Sequence, residues 1–474
     1  MKNAALVLLC LAAAAAWAVP VRMLVTGDMH GMVLPQQIDG MTVGGAAEML
    51  ARWKTHEGYR PDRVLTIAMG DIATSGSLLC TLLKGAPAID AMNAMGYDVC
   101  VIGNHEFDLG IDGFMGWQRQ AAFPFISANL TLDGAPWDVV PPYIILKQNG
   151  VKVGILGLTT QHLNQRKGMP IAGAFTDVVK RYVPEMRAKG AQVVIVAAHE
   201  GSALLAKVAT ETADLNIPLW LGAHTHELTS IRAGAGRLVC AGEWYLHYCR
   251  IDLDYDPVSG ACLVKTVRQE TLAGKQPAAD RALAAKLAAW KTRLPDGRAT
   301  APRVTIPRLA TAPAIDGTLA PAEWDGAARL DTFWIPGSER TADPATRAWL
   351  ATDGTTLYAA FRCSNVPGAT LKTDATGRDT RVWEDDSIEL FLWPDETKPR
   401  FVQFIVNADG MCYDADNTFN LAQRSQSDAS WNPAYRVNTG REDGAWTLEL
   451  ALPLASAGID PQPGKAFRLN ITRN

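Results

Sequence analysis

Short apolar runs alternate with helix-like stretches through the first half of the chain. The apolar runs cover residues 21–26, 64–69, 99–102 and 193–197. Between them, residues 45–56 and 86–95 carry patterns that are typical of helices. Strands that alternate with helices predict a layered α/β domain.

Each apolar run ends at a polar motif. The motifs are Gly27-Asp28-Met29-His30, Gly70-Asp71, Gly103-Asn104-His105-Glu106 and Ala198-His199-Glu200, and a fifth, Gly222-Ala223-His224-Thr225-His226, follows them. Open α/β sheets bind their ligands at the carboxyl ends of the strands. The sequence therefore predicts one pocket that is lined by these motifs.

The last third of the chain has a different pattern. Runs of β-branched and aromatic residues cover 356–362, 387–392, 401–407 and 445–452, and Gly, Pro and Asp clusters separate them. This pattern predicts an all-β sandwich. A helix-like stretch and a segment of linker composition precede it. We therefore expect an α/β domain at 19–272, a helical linker at 273–302 and a β-sandwich at 303–474.

The first 18 residues have the composition of a secretory signal peptide. Lys2 is the only charge before an apolar run at residues 4–16, and Ala16-Trp17-Ala18 offers a cleavage site. A membrane anchor is the alternative, but the run is too short to span a bilayer comfortably. Cleavage near Ala18 predicts a periplasmic or extracellular protein that is not attached to a membrane.

The net charge bears on possible binding partners, and the cysteine content bears on disulfide bonds. The net charge of −4 gives no electrostatic reason to expect a nucleic-acid polymer or an anionic membrane as partner. Seven of the eight cysteines lie beyond the signal peptide. An odd number without regular spacing predicts no disulfide framework.

The motifs supply ligands for metal ions. Five of the eight histidines lie inside them, beside carboxylates and one carboxamide. Such ligands suit divalent metals, and no cysteine lies among them, which argues against a structural zinc site. We expect two cations (Mn, Zn, Fe, Co or Mg) with Asp71 as the bridging carboxylate. The other predicted ligands are Asn104, His199 and His224 for one ion and Asp28, His30 and His226 for the second.

His105 is left outside both ligand sets. Asp108, three residues further along the chain, could orient this imidazole and hold it protonated. An imidazolium there would stabilise phosphoryl oxygens or protonate the leaving alkoxide. Of the other histidines, His56 and His247 are expected to be solvated or packed, whereas His162 could approach the pocket from a loop.

These motifs resemble those of the metallophosphoesterases, and specifically the catalytic domain of the 5′-nucleotidase branch. The resemblance spans about residues 20–272 and includes Gly44-Gly45, Gly103-Asn104-His105-Glu106-Phe107-Asp108 and Phe123-Pro124-Phe125-Ile126-Ser127-Ala128-Asn129. It implies an α/β four-layer sandwich in which two mixed sheets are covered by helices. It also implies the same metal ligands, and His105 and Asp108 as catalytic residues.

The resemblance implies a reaction as well. A hydroxide activated by the two metals would attack a phosphate ester, with nucleotide-like monoesters as the first expectation. A 2′,3′-cyclic phosphodiesterase and a hydrolase of sulfur-containing conjugates are alternatives within the family. The family usually adds a second α/β domain that clamps the nucleotide. This chain has a different domain there, so nucleotide specificity is not carried over.

Residues 303–474 resemble the family 9 carbohydrate-binding modules. The shared landmarks include Ile315-Asp316-Gly317, Glu323-Trp324 and Trp383-Glu384-Asp385-Asp386-Ser387-Ile388-Glu389. The resemblance implies a glycan partner, and exposed tryptophan rings can stack on sugars. The candidates for such stacking are Trp334, Trp383 and Trp431. A calcium ion is possible at the carboxylates of Asp385, Asp386 and Glu389.

Two alternatives stay open for the β-sandwich. It could pack beside an active enzyme without binding sugar. Conversely, the chain could be a glycan-binding surface protein whose esterase half is vestigial, although the complete ligand set argues against this.

Overall fold

The computed structural model describes residues 18–38, 40–163, 169–274, 278–293, 303–334, 341–395, 398, 400–420 and 424–474. The chain divides into two compact units, residues 1–35 with 44–293 and residues 36–43 with 294–474. The expected signal peptide lies outside the described residues, apart from Ala18. Within the described ranges, no helix has the length and apolar character to cross a membrane.

The described residues form β-strands and α-helices, which are numbered here in chain order. The strands are β1 (Val19–Thr26), β2 (Gln36–Ile38), β3 (Met41–Val43), β4 (Leu65–Ala68), β5 (Val99–Val101), β6 (Phe125–Ile126), β7 (Leu130–Leu132), β8 (Ala135–Pro136), β9 (Tyr143–Gln148), β10 (Val151–Thr159), β11 (Ile171–Ala172), β12 (Val193–His199), β13 (Leu219–Gly222), β14 (Leu228–Ala233), β15 (Gly236–Ala241), β16 (His247–Tyr255), β17 (Cys262–Thr271), β18 (Ala328–Leu330), β19 (Thr346–Thr352), β20 (Thr356–Ser364), β21 (Ser387–Trp393), β22 (Arg400–Asn407), β23 (Cys412–Asn420), β24 (Arg424–Asp428), β25 (Arg436–Glu442), β26 (Ala445–Pro453) and β27 (Arg468–Arg473). The α-helices are α1 (Ala46–His56), α2 (Leu78–Leu82), α3 (Ala86–Met95), α4 (Gly110–Gln120), α5 (Phe175–Ala188), α6 (Ser202–Glu211) and α7 (Arg281–Lys291).

Two mixed sheets form the centre of the first unit. One has the strand order β17-β16-β1-β4-β5-β6 and the other β14-β15-β13-β12-β10-β9. Parallel pairing joins β1, β4, β5 and β6 in the first sheet. It also joins β10, β12, β13 and β15 in the second. The parallel strands of each sheet therefore end at one edge.

The two sheets pack face to face. Val25 and Ile67 of the first sheet share one buried cluster with Ile155 and Ile195 of the second. Helices α5 and α6 cover the outer face of the second sheet around Trp220. Both faces of the parallel strands are buried, which explains their nearly continuous apolar sequences.

Helices also cover the first sheet, which confirms the predicted four-layer α/β sandwich. The Trp53 ring of α1 lies 6.1 Å from the Tyr248 ring of β16, edge to face. Helix α7 lies within the predicted helical linker at 273–302, and the structure places it in this unit. Its Lys286 and Trp290 both donate hydrogen bonds to the Asp90 carboxylate of α3, at 2.9 Å each.

The second unit is an antiparallel β-sandwich, as predicted. Its two five-stranded sheets have the orders β18-β19-β20-β26-β25 and β24-β23-β22-β21-β27. Phe361 and Trp446 from the first of these sheets meet Leu390 and Phe404 from the second in one buried core. Buried side chains alternate with half-buried ones along β21, as expected for a strand with one face in the core.

Candidate metal centre

The predicted ligands lie at the carboxyl ends of strands in both sheets of the first unit. The first sheet contributes Asp28, His30, Asp71 and Asn104, which follow β1, β4 and β5, and the second contributes His199, His224 and His226, which end or follow β12 and β13. Three overlapping groups of three side chains have their ligand atoms within 4.8 Å of one another, and together they contain His105 and every predicted ligand except Asn104. The fold therefore brings all five motifs to one pocket.

The backbone of the pocket adopts a rare conformation. Among the described residues, thirteen that are not glycine have a positive φ, and five of these are predicted ligands. They are Asp28 (45°), His30 (47°), Asp71 (52°), His224 (70°) and His226 (57°). A left-handed conformation costs a non-glycine residue about 1–3 kcal/mol and persists only where the surrounding structure holds it. The concentration of this strain marks a functional site.

One group consists of Asp28, His30 and His226. The His30 Nδ1 atom lies 2.9 Å from the Thr74 carbonyl oxygen, and the His226 Nδ1 atom is hydrogen-bonded to the Glu243 carboxylate. Both Nδ1 atoms therefore carry protons, so each neutral ring presents a lone pair at Nε2. The two Nε2 atoms lie 3.1 Å apart. Only a positive charge between them makes this contact favourable.

A second group consists of Asp71, His199 and His224. The His199 Nδ1 atom lies 2.6 Å from the Met69 carbonyl oxygen. Its Nε2 atom faces Asp71 Oδ2 at 3.1 Å and Asn104 Oδ1 at 3.2 Å. The same Asn104 oxygen lies 3.0 Å from His224 Nδ1. Here too, the side chains turn possible metal-ligating atoms toward one another.

The two groups share their carboxylates. Asp71 also forms a third group with His30 and His105. One oxygen of Asp28 lies 3.9 Å from His199 Nε2 and 3.7 Å from His226 Nε2. Carboxylates in this position can contact two cations at once, as the sequence predicted for Asp71.

Electrostatics also favours a cation in this pocket. Burial raises the pKa of Asp28 to about 7, against the opposing influence of His199 and His226. Burial disfavours the charged form of His199 as well, but the adjacent Asp71 outweighs it and raises the pKa of His199 to about 10. The buried carboxylates thus draw positive charge onto their nearest imidazole, and a bound cation would supply that charge instead.

His105 and Asp108 lie together at the rim of the pocket. The His105 Nδ1 atom is 2.9 Å from Asp108 Oδ2. The Ser75 hydroxyl donates to the same carboxylate oxygen at 2.8 Å and lies 2.8 Å from His105 Nδ1. Burial opposes protonation of His105, but the hydrogen bond to Asp108 and the charge of Asp71 raise its pKa to about 9.

Two buried glutamates, Glu106 and Glu243, support the pocket, and neither is among the predicted site residues. Glu106 accepts hydrogen bonds from the backbone N–H groups of Asp71 at 3.0 Å and Ile72 at 2.9 Å, which fixes the turn after β4. Its position inside the Asn104-His105-Glu106 motif was the only signal in the sequence. Glu243 binds His226, and no spacing pattern pointed to it.

The remaining histidines differ in their relation to the pocket. The exposed His162 ring stacks on His224 with a centroid distance of 5.8 Å and an interplanar angle of 8°. His162 therefore reaches the pocket from its loop. His247 is packed, with 8% of its surface exposed, and lies 3.0 Å from the Thr271 hydroxyl. His56 is exposed at the end of α1.

The three tryptophans predicted for sugar stacking have different surroundings. Trp334 is 51% exposed and Trp383 is 43% exposed. Trp383 also contacts the Tyr413 ring edge to face at 5.2 Å. Trp431 instead packs on the core residue Phe404, with the ring centroids 5.6 Å apart. The first two rings are the accessible ones.

The carboxylates considered for calcium have other hydrogen-bond partners. Asp385 accepts backbone N–H groups of Asp374 at 2.9 Å and Ala375 at 3.0 Å, together with the Asn407 amide at 2.8 Å. Asp386 accepts the N–H of Lys372 at 2.7 Å. In the described part of the chain, groups of three or more metal-ligating side chains occur only in the first unit. A calcium ion here stays a prediction.

Family comparisons match both units. Residues 21–228 match the family model described as calcineurin-like phosphoesterase. Residues 315–474 match the model described as carbohydrate family 9 binding domain-like.

Curated relatives match parts of the chain. A 2′,3′-cyclic-nucleotide 2′-phosphodiesterase/3′-nucleotidase of Haemophilus influenzae is 34% identical over 132 residues, which is 25% of this chain and 20% of the relative. A 5′-nucleotidase of Rattus norvegicus is 28% identical over 46% of this chain and 40% of its own length. Endonuclease YhcR of Bacillus subtilis is 28% identical over 50% of this chain and 22% of its own length. The chain thus spans less than half the length of these relatives.

Solved structures share the fold of the first unit. The 5′-nucleotidase precursor of Thermus thermophilus is 24% identical with a TM-score of 0.50, covering 58% of this chain and 59% of that one. The calcineurin-like phosphoesterase YfkN of Bacillus subtilis is 21% identical with a TM-score of 0.50, covering 58% of this chain and 97% of that one. These structures show the fold of the first unit, while residues 21–228 are similar to the calcineurin-like phosphoesterases and residues 315–474 to the carbohydrate family 9 binding domain-like modules.

Proposed function

We propose that the first unit hydrolyses phosphate esters with the help of two divalent cations. The observation that carries this proposal is the 3.1 Å contact between His30 Nε2 and His226 Nε2, whose Nδ1 protons are held by Thr74 and Glu243. Two lone pairs at this distance need a proton or a metal ion between them, and the carboxylate of Asp28 beside them completes a group of metal ligands. Asp71, His199 and His224 form a separate group of possible metal ligands, which supports a second ion.

The donor set fits two transition-metal ions. One would be held by Asp28, His30, Asp71 and His226, and the other by Asp71, Asn104, His199 and His224. Imidazole nitrogens with carboxylate oxygens suit Mn, Zn, Fe or Co better than Mg, which prefers oxygen ligands. When bound, such a pair lowers the pKa of water and neutralises the charge on phosphoryl oxygens.

A side chain at the rim of the pocket, His105, is placed to protonate the leaving group. His105 lies at the rim, and its ring centroid is 5.2 Å from that of His30. Its Nδ1 is held by Asp108, so Nε2 is the nitrogen that can donate a proton to the departing oxygen. Asp108 and Ser75 fix the orientation of the ring.

Phosphate monoesters, including nucleotides, are the proposed substrates. The relatives named 5′-nucleotidase support this class. A 2′,3′-cyclic phosphodiesterase is the second candidate, because the relative from Haemophilus influenzae carries that name. The two reactions use the same metals and differ in the leaving group.

The first experiment is a substrate panel on the Mn²⁺-loaded protein: AMP, 2′,3′-cyclic AMP, a sugar phosphate, a bis-ester and an aryl phosphate. We expect turnover of the monoesters. The Asp71→Asn variant should lose about 100-fold or more in kcat/KM, because it weakens a ligand shared by both groups. Asp112→Asn, on the exposed face of α4, is the matched control and should retain activity. Full activity of Asp71→Asn would refute the mechanism.

A second experiment separates proton donation from metal binding. The His105→Asn variant should keep its metal content but lose about 10²–10⁴-fold in kcat with AMP, whose alkoxide needs a proton. The loss should be much smaller with 4-nitrophenyl phosphate, because its leaving group is stable as an anion. His56→Asn, at an exposed position, is the control. Equal losses with both substrates would rule out His105 as the proton donor.

A third experiment tests the close packing of the pocket. A Cβ atom at Gly103 would collide with Asp71 Oδ1 and lie 2.8 Å from His199 Cε1. We expect Gly103→Ala to weaken Mn²⁺ binding by about tenfold or more, since both neighbours are proposed ligands. Gly116→Ala, where the nearest neighbouring atom is 4.0 Å away in helix α4, should bind Mn²⁺ normally. Calorimetric titration of both variants gives the answer, and unchanged affinity in Gly103→Ala would contradict the proposed ligand geometry.

The second unit is proposed to bind a glycan outside the cytoplasm. Its match to the carbohydrate family 9 binding domain-like model and the exposed ring of Trp383 support this role. Export rests on the predicted signal peptide, with the mature protein in the periplasm or the extracellular space. A glycan partner there would hold the enzyme near its substrate.

A glycan array on the full chain tests this role. We expect binding that Trp383→Ala weakens by about tenfold, because the ring loses its contact with the sugar. Val366→Ala, at a position 52% exposed in the same unit, should bind like the wild type. Absence of glycan binding by the wild type would favour the alternative in which the β-sandwich accompanies an active enzyme without binding sugar.

A further inference from the structure

We infer that Glu243 orients His226 and thereby sets the affinity of one of the two proposed cations, so that the two ions bind unequally. This inference rests on the proposed dinuclear site. Glu243 is 5% exposed, and its carboxylate accepts a hydrogen bond from His226 Nδ1. The carboxylate fixes the tautomer and the direction of the ring, and Nε2 is left facing the pocket.

The loop that carries Glu243 contacts the same ligand group a second time. The backbone N–H of Trp244 donates to the Asp28 carbonyl oxygen at 3.0 Å. Trp244 and Tyr245 have φ values of 63° and 54°, and the Tyr245 side chain is fully buried. The loop therefore holds Asp28 through its backbone and His226 through Glu243. Both belong to the group of Asp28, His30 and His226.

The second ligand group has no equivalent anionic support among the described contacts. His199 Nδ1 faces the carbonyl oxygen of Met69, which is a neutral partner. His224 turns its Nδ1 toward the Asn104 oxygen, and so toward the proposed ion itself. A carboxylate partner makes an imidazole a stronger ligand than a carbonyl partner does, and losing such a partner typically reduces metal affinity by about 10–100-fold. Removal of the Glu243 carboxylate should therefore weaken the binding of one ion, the one held by His226, more than that of the other.

The test is calorimetric titration of the metal-free full chain with Mn²⁺. Wild-type protein should bind two ions. Glu243→Gln keeps the size of the side chain and removes its charge, and we expect one dissociation constant to rise by about 10–100-fold while the other changes less than threefold. Glu243→Asp, which keeps the charge, should recover part of the affinity. The thermal unfolding midpoint of each variant without metal should equal that of the wild type. A loss of metal affinity would then reflect the position of His226 and not a loss of folding stability.

Glu227→Gln is the matched control. This residue follows His226 directly, and its carboxylate accepts a hydrogen bond only from the Thr225 hydroxyl among the described contacts, at 2.9 Å. The substitution removes the same charge at nearly the same place in the chain. Both Mn²⁺ affinities should remain those of the wild type. An equal effect from Glu227→Gln would show that net charge, and not the contact with His226, controls binding, and would overturn the inference.

A double-mutant cycle tests whether Glu243 acts through His226. In a His226→Ala background, Glu243→Gln should cause no further loss of Mn²⁺ affinity. A full additional loss in that background overturns the inference, as does a Glu243→Gln variant that binds both ions like the wild type. Wild-type protein that fails to bind two Mn²⁺ ions refutes the proposed dinuclear site itself. The two failures are therefore distinguishable.

Discussion

The first unit depends on acceptor atoms that point at one another. Imidazole Nε2 atoms of His30, His199 and His226 face each other or carboxylate and amide oxygens at 3.1–3.2 Å, and their Nδ1 protons are held elsewhere. Such an arrangement is unfavourable in a buried pocket unless positive charge occupies it. The fold collects these atoms from separate strands into one site. A metal ion bound there would stabilise the folded state, since the unfolded chain lacks this geometry.

The architecture explains how one pocket can collect ligands from distant parts of the sequence. Two sheets pack face to face, and parallel strands in each end at the pocket. Four ligands come from one sheet and three from the other, so the pocket lies across the stacked edges. Left-handed turns at Asp28, Asp71 and His224 aim the side chains inward. The free energy lost in those turns is offset by the buried core beneath them.

Much of this site could be predicted from the sequence because its signals are local. The run that becomes β1 ends next to Asp28, and helix α3 occupies the predicted residues 86–95. The supporting contacts are not local. The β14–β15 hairpin separates Glu243 from His226 in the sequence. Glu106 accepts hydrogen bonds from Asp71 and Ile72, which precede it by 35 and 34 residues. Trp431 shows the same limit, since its contact with Phe404 depends on the paired sheets of the second unit.

The proposed function requires two cations in this pocket. Crystals of the full chain grown with Mn²⁺, measured at the manganese absorption edge, test it most directly. We expect two anomalous peaks. One should lie among Asp28, His30, Asp71 and His226, and the other among Asp71, Asn104, His199 and His224. A single peak, or none at saturating Mn²⁺, would contradict a dinuclear site and leave protonated imidazoles as the source of positive charge.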